Sequence, residues 1–187
     1  MNRRELLKRV GVVAGATVAQ AAEQNPSSAT RLSSKCKIVV TGGHPGDPEY
    51  GCGGSVARLT ALGHEVVLLY LNDGAWAQTS SATRLAENHS DHRDIANLTY
   101  ESWKQLKRRF ALYYYEVSDG EDTTQFPAPT QYVDITAVAD TKKAACYAHA
   151  SQTPDFYYPL QDTVATFRGL QAGAKKAEAY VLQLGSP

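Results

Sequence analysis

The chain has 187 residues, and its 19 lysines and arginines balance its 19 aspartates and glutamates. This length supports one domain with a proper core, and the balanced charge gives no support for a nucleic-acid partner. The three cysteines are far apart and form no CxxC pair, which argues against a disulfide framework or a thiolate zinc site.

The first residues have the pattern of an export signal. Arg3 and Arg4 precede a moderately apolar segment, Val10 to Ala19, which ends in the cleavage pattern Ala19-Gln20-Ala21. This order is typical of a twin-arginine signal peptide. The apolar segment is shorter than the about 20 residues that a membrane span needs, so we expect no stable membrane anchor. An ordinary amphipathic N-terminal helix is the alternative.

These features divide the chain into three parts. We predict a signal peptide over residues 1–22, a serine-containing linker over 23–35 and a single domain over 36–187. The mature protein is then expected in the periplasm or outside the cell.

The domain is predicted to begin with a strand, a helix and a second strand. A β-branched run, Ile38 to Thr41, leads through a loop into an alanine- and leucine-bearing helix that ends at Gly63, and Val66 to Leu71 follows. Such a unit favours two parallel strands with a right-handed crossover. Because functional side chains in open parallel sheets lie at the carboxyl ends of strands, we expect a site near His44, Asp47, Asn72 and Asp73.

The rest of the chain alternates between segments with the periodicity of a helix and segments with the pattern of a strand. We predict a helix that starts near Asp91, strands over 110–117 and 132–135, a helix to about Ser151, and a C-terminal amphipathic helix over 161–184 with interruptions at Gly169 and Gly173. This alternation argues for an α/β layered domain.

Two polar clusters supply ligands that a zinc ion accepts. His44 and Asp47 lie three residues apart, and His89, Asp91 and His92 form a second cluster at the helix predicted to start near Asp91. Three protein ligands with a fourth position open to water would make a hydrolytic zinc site. The alternative is structural: His44 caps the loop, Asp47 makes an Asx turn and Asp91 caps a helix.

The two clusters also resemble known motifs. HPGDPEYGCGGS followed by a helix and GHEV is similar to the AHPDDE opening of the LmbE-like, or PIG-L, deacetylases, and NHSDHR is similar to their HxDH motif. YYEV and the stretch from Lys142 to Gln152 add to the likeness, which runs from about Lys37 to the C-terminus. The resemblance implies a three-layer α/β/α Rossmann-like fold with a mostly parallel sheet, and a zinc hydrolase that removes acetyl groups from small-molecule N-acyl amino sugars or glycoconjugates.

Carried over by position, the resemblance implies roles for five residues. His44, Asp47 and His92 become zinc ligands. His89 becomes a candidate to stabilise the oxyanion or to protonate the leaving amine, with Asp91 as its orienting partner.

Residue 46 departs from the family pattern. Where the family has an aspartate that acts as general base, this chain has Gly46. General acid–base catalysis contributes about 100- to 10,000-fold, so a replacement is needed for full activity. Glu49, Asp91 and His89 are the candidates, and a metal-binding relative with impaired catalysis is the alternative.

A second departure concerns length. Only 14 residues, 75–88, separate Gly74 from His89, where the family usually has another strand and helix. We expect an incomplete domain with an uncovered strand edge.

A dinucleotide-binding protein is a further alternative. Gly51, Gly53 and Gly54 lie between the first strand and helix, and Asp73 follows about 20 residues later, as a Rossmann fingerprint requires. However, Val56 occupies the place of the third glycine, and this interpretation gives the histidines no role.

Overall fold

The computed structural model describes residues 35–73, 89–117 and 127–187. The predicted signal peptide, nearly all of the predicted linker and the short 75–88 segment lie outside these residues. The helices and strands, in chain order, are β1 (Lys37–Gly42), α1 (Asp47–Ala61), β2 (Glu65–Tyr70), α2 (Ser90–Gln105), β3 (Tyr113–Tyr115), β4 (Gln131–Asp134), α3 (Ala139–Ala148), α4 (Pro154–Ala172) and β5 (Ala177–Leu182).

The predicted parallel unit is present. Strands β1 and β2 pair in parallel, with Val39 opposite Val67, and α1 makes the crossover between them. Backbone hydrogen bonds continue beyond the strands, from Leu71 N to Gly42 O and from Asn72 N to Gly43 O. The end of β2 is therefore held beside the loop that follows β1.

Helix α1 consists of two helical segments that meet at Cys52, whose φ of −142° and ψ of 19° are not helical. Just after the kink, the backbone N–H groups of Gly54 and Ser55 donate to the Glu178 carboxylate at 2.8 and 2.7 Å. A carboxylate at a helix N-terminus both caps N–H groups and suits the helix dipole. Glu178 thus acts as a remote cap for the second segment.

The second sheet is antiparallel, in the order β3-β5-β4. Its central strand, β5, corrects a prediction, because the C-terminal region was expected to be helical to residue 184. The helix ends at Ala172, where Gly173 takes a left-handed conformation with φ of +71°. Beyond it, Ala177 and Ala179 are almost fully buried between β3 and β4. Packing of small side chains in a central strand has overridden the helical pattern.

Two other predicted boundaries also change. The strand expected over 110–117 pairs only at Tyr113–Tyr115. Helix α2 starts at Ser90, and its N-cap is His89, whose Nδ1 accepts from the Asp91 N–H, so Asp91 is not the cap. The predicted α/β class is confirmed. However, the sheet expected to be mostly parallel is replaced, among the described residues, by one parallel pair and a separate antiparallel sheet of three strands.

The core and the parallel sheet differ in burial. Trp103, Ile135 and Cys146 are fully buried, whereas Val39, Val67 and Leu69 on the parallel strands are 57%, 42% and 51% exposed.

Within the described ranges, no helix is both long and apolar enough to span a bilayer.

Candidate metal centre

The candidate site lies where β1, α1 and α2 meet. His44 follows β1, Asp47 is the first residue of α1, and His89 and His92 lie at the start of α2. Asp47 was expected in a loop, but it begins a helix in which Pro48 occupies one of the first positions. Proline is favoured there because its missing N–H would have no helical partner. The helix start therefore fixes the direction of the Asp47 side chain.

Three donor atoms form a compact triangle. His44 Nδ1 is 3.4 Å from Asp47 Oδ2 and 3.3 Å from His92 Nε2, and His92 Nε2 is 3.0 Å from Asp47 Oδ2. Ligands at the usual zinc bond lengths and tetrahedral angles are separated by about 3.3 Å. The three side chains thus have the separations, and the imidazole and carboxylate chemistry, that suit a tetrahedral zinc site.

A neighbouring set of three includes His89. The imidazole nitrogens of His44, His89 and His92 lie within 4.8 Å of one another and could hold a metal. However, His89 Nδ1 accepts the Asp91 N–H at 3.2 Å. A neutral imidazole with an accepting Nδ1 carries its hydrogen on Nε2, which makes this ring a donor. The contact favours Asp47 over His89 as the third ligand.

The second nitrogen of His44 contacts a carboxylate. His44 Nε2 is 3.1 Å from Asp91 Oδ2, and the same oxygen accepts from Asn72 Nδ2 at 2.8 Å. A carboxylate that holds the outer nitrogen of a ligating histidine fixes the ring's orientation and tautomer. The Asp91 carboxylate therefore orients His44, whereas the sequence predicted that Asp91 would orient His89.

Charge and burial shift the pKa values of the site in different directions. Burial disfavours ionisation of Asp47, but hydrogen bonds from His44 and His92 outweigh it and hold the pKa of this carboxyl below its ordinary value. The hydrogen bond to Asp47 raises the pKa of His44 despite burial. Burial, reinforced by His92 and His44, lowers the pKa of His89. A neutral His89 beside an anionic Asp47 follows from these shifts.

Glu49 is directed to a different set of residues from Asp47. Its Oε1 accepts from Tyr70 OH at 2.8 Å and lies 3.0 Å from His149 Nε2. Its Oε2 is buried and has no hydrogen-bond partner among the described residues. A buried carboxylate oxygen with an unused lone pair can take a proton or hold a water molecule.

Gly46 has a backbone that explains its identity. Its φ is +106°, and a Cβ built on it would lie 3.1 Å from the Tyr50 ring. Only glycine adopts this region readily. The absence of the family's aspartate therefore coincides with a conformation that disfavours any side chain.

The structure brings together five of the six predicted site residues, His44, Asp47, His89, Asp91 and His92, while Glu49 joins Tyr70 and His149. Asn72 was expected near the site but was given no role, and Tyr70 was not among the predicted residues. Both lie at or just after the carboxyl end of β2, which was the available signal. His149, which belongs to the stretch from Lys142 to Gln152 that adds to the resemblance, contacts Glu49 and is 24% exposed at its side chain.

The fold resembles three solved structures at low sequence identity. N,N'-diacetylchitobiose deacetylase from Pyrococcus horikoshii, solved with its inhibitor, has a TM-score of 0.58 and 17% identity over 80% of this chain and 84% of that chain. The conserved protein TT1542 from Thermus thermophilus has a TM-score of 0.56 and 19% identity over 79% and 93%. GalB, the 4-carboxy-2-hydroxymuconate hydratase from Pseudomonas putida KT2440, has a TM-score of 0.55 and 14% identity over 82% and 97%.

The chain has the fold of these proteins. This likeness confirms the predicted α/β Rossmann-like fold. No protein-family model matches the chain, and no curated protein sequence matches it. Because one of the three structures is a deacetylase and another a hydratase, the shared fold alone leaves the reaction open.

Proposed function

We propose that the chain is a zinc-dependent hydrolase that removes an acyl group, typically acetyl, from the nitrogen of an amino sugar or similar amide. The observation that carries this proposal is the triangle of His44 Nδ1, Asp47 Oδ2 and His92 Nε2, with edges of 3.0 to 3.4 Å. A deacetylase among the proteins of this fold supports the choice of reaction. The proposal includes export, for which the Arg3-Arg4 pattern is the support.

His44, Asp47 and His92 would hold the metal, and the metal would supply an acidified water molecule and polarise the acyl carbonyl. His89, with hydrogen on Nε2, can donate a hydrogen bond to negative charge on the acyl oxygen. It could give a proton to the leaving nitrogen only when Nδ1 is protonated as well. Glu49 is the favoured base among the three candidates, because its Oε2 has an unused lone pair whereas Asp91 Oδ2 already accepts two hydrogen bonds.

A metal-binding relative with impaired catalysis is the second candidate. The observation that favours it is Gly46, which carries no carboxylate where the resembling family has its base. The dinucleotide alternative loses its support, because Gly51, Gly53 and Gly54 lie within α1 and the Gly54 N–H donates to Glu178 at 2.8 Å.

The first test is metal content together with amide hydrolysis. We expect one zinc per purified chain, lost in the Asp47→Ala and His92→Ala variants, and release of primary amine from N-acetylglucosamine conjugates by the wild type. His64→Ala is the matched control, because His64 accepts the Cys36 N–H away from this site. Wild-type protein that binds no zinc would refute the proposal, and stoichiometric zinc without hydrolysis would favour the impaired relative.

The second test concerns Glu49. Glu49→Gln keeps the size of the side chain and its contact with Tyr70 but removes the base, so kcat should fall about 100- to 10,000-fold. The zinc dissociation constant should not change, because Glu49 is outside the ligand triangle. Unchanged kcat in this variant would exclude Glu49 as the base and leave Asp91 and His89 to be tested by Asp91→Asn and His89→Ala.

A further inference from the structure

We propose that Asn72 is a positioning residue for the metal ligand His44 and acts through the Asp91 carboxylate. The inference rests on the proposed function, since it concerns how firmly the same site would hold zinc. It assigns a role to a residue that the sequence placed near the site without a role. The side-chain amide of this residue donates to Asp91, which is outside the ligand triangle.

A chain of contacts connects Asn72, which follows β2, with His44, which follows β1, through Asp91 in α2. Asn72 Nδ2 donates to Asp91 Oδ2 at 2.8 Å, and His44 Nε2 lies 3.1 Å from the same oxygen. The other oxygen, Asp91 Oδ1, accepts from Ser90 Oγ at 3.2 Å. With both oxygens held, the carboxylate is fixed in position against the His44 ring.

The backbone of Asn72 is held as well. Its N–H donates to Gly43 O at 3.1 Å. Gly43 lies directly after Gly42, the last paired residue of β1, and directly before His44. The amide side chain therefore projects from a rigid base next to the ligand that it influences. A polar contact built on paired strands holds its geometry better than one on a mobile loop.

The contact determines which nitrogen of His44 is available to a metal. An ionised carboxylate only accepts hydrogen bonds, so His44 Nε2 carries hydrogen in its contact with Asp91. Nδ1 is then the nitrogen left for the metal, and it is the atom that faces Asp47 and His92. Asn72 contributes by neutralising part of the charge on Asp91 Oδ2 and by fixing its direction.

Removal of the amide should therefore weaken zinc binding. Loss of an outer partner of a metal ligand costs about 10- to 100-fold in metal affinity, and we expect this loss in Asn72→Ala and in Asn72→Leu, which keeps the side-chain volume. The measurement is the zinc dissociation constant of the full chain by competition with a chromophoric chelator. Asn97→Ala is the matched control, since Asn97 lies on α2 and is not part of this chain of contacts.

A double-mutant cycle separates positioning from a general loss of structure. If Asn72 acts through Asp91, Asn72→Ala combined with Asp91→Ala should bind zinc no more weakly than Asp91→Ala alone. Additive losses would overturn the proposal, as would an unchanged dissociation constant in both Asn72 variants. Wild-type protein without zinc would instead refute the proposed function, so the two failures are distinguishable.

Discussion

At residue 46, the sequence of the site departs from the motif that it resembles, and the backbone gives the reason. Gly46 has φ of +106° and lies directly before Asp47, the first residue of α1. The tight approach of Tyr50 to this position leaves little room for a Cβ. The backbone that aims Asp47 at the two histidines therefore also depends on glycine.

We predict that Gly46→Ala and Gly46→Asp both lower the free energy of unfolding. A residue forced into this part of backbone space costs about 1 to 3 kcal/mol, and the cost should be similar for both variants because it comes from the Cβ atom. Urea unfolding of the wild type and the two variants measures it. Identical midpoints for wild type and Gly46→Ala would show that the positive φ is not required in solution.

The proposed metal ligands could be inferred from the sequence, whereas most of the contacts that support them could not. His44, Asp47 and His92 belong to two short motifs whose residue types indicate a metal. Asn72 was expected near the site only from its place after a strand, and Tyr70 was not predicted at all. Their roles arise from contacts with Asp91 and Glu49, 19 and 21 residues away. The ends of the strands were predicted. Which side chain contacts Asp91 and which contacts Glu49 depends on the register of β2, which the sequence does not reveal.

The kinked helix α1 depends on an ionic group from the last strand. Glu178 accepts from Gly54 N and Ser55 N, pairs with Lys142 Nζ at 2.7 Å and is also 3.2 Å from Tyr180 OH. Both Lys142 and Glu178 are at least nine-tenths buried. The Glu178 carboxylate therefore has four donors around it. For this reason, loss of Glu178 removes more contacts than loss of Lys142.

We predict that Glu178→Leu destabilises the chain more than Lys142→Met. Glu178→Leu leaves a buried ammonium without this carboxylate and two helix N–H groups without their acceptor, and breaking a buried pair costs about 3 to 5 kcal/mol. After Lys142→Met, Glu178 keeps both backbone N–H donors. The free energies of unfolding of the two variants test this order, and an equal or reversed order would show that the capping contacts contribute little.

The same strand shows where prediction from sequence failed at the level of an element. The apolar positions from Leu160 to Val181 fit a helical period, and the helix forms as far as Ala172. Gly173 then allows the left-handed turn, and the buried Ala177, Glu178 and Ala179 belong to a central strand. A buried glutamate in such a strand is explained only by its distant partners, so local pattern could not reveal it.

At the scale of the whole molecule, the described residues combine an antiparallel sheet with a partly buried central strand and a parallel pair with one exposed face. Parallel sheets are normally covered on both faces, yet Val39, Val67 and Leu69 remain 42% to 57% exposed. The sequence predicted an incomplete domain from the short connection before His89. That expectation, which concerned a strand edge, stays a prediction; the described residues show an exposed face of the parallel pair.

We predict that this face contributes little to stability. Val67→Thr with Leu69→Thr should change the free energy of unfolding by about 0.5 kcal/mol or less, as is usual for exposed positions, and should reduce binding of a dye such as ANS. The control is Val133→Thr in β4, a residue only 5% exposed, where burying a hydroxyl should cost about 1 to 3 kcal/mol. A loss above about 1 kcal/mol in the double variant, beyond the surface range, would mean that these side chains are covered in solution. In that case the parallel pair would be part of a complete core, and the expectation of an incomplete domain would be wrong.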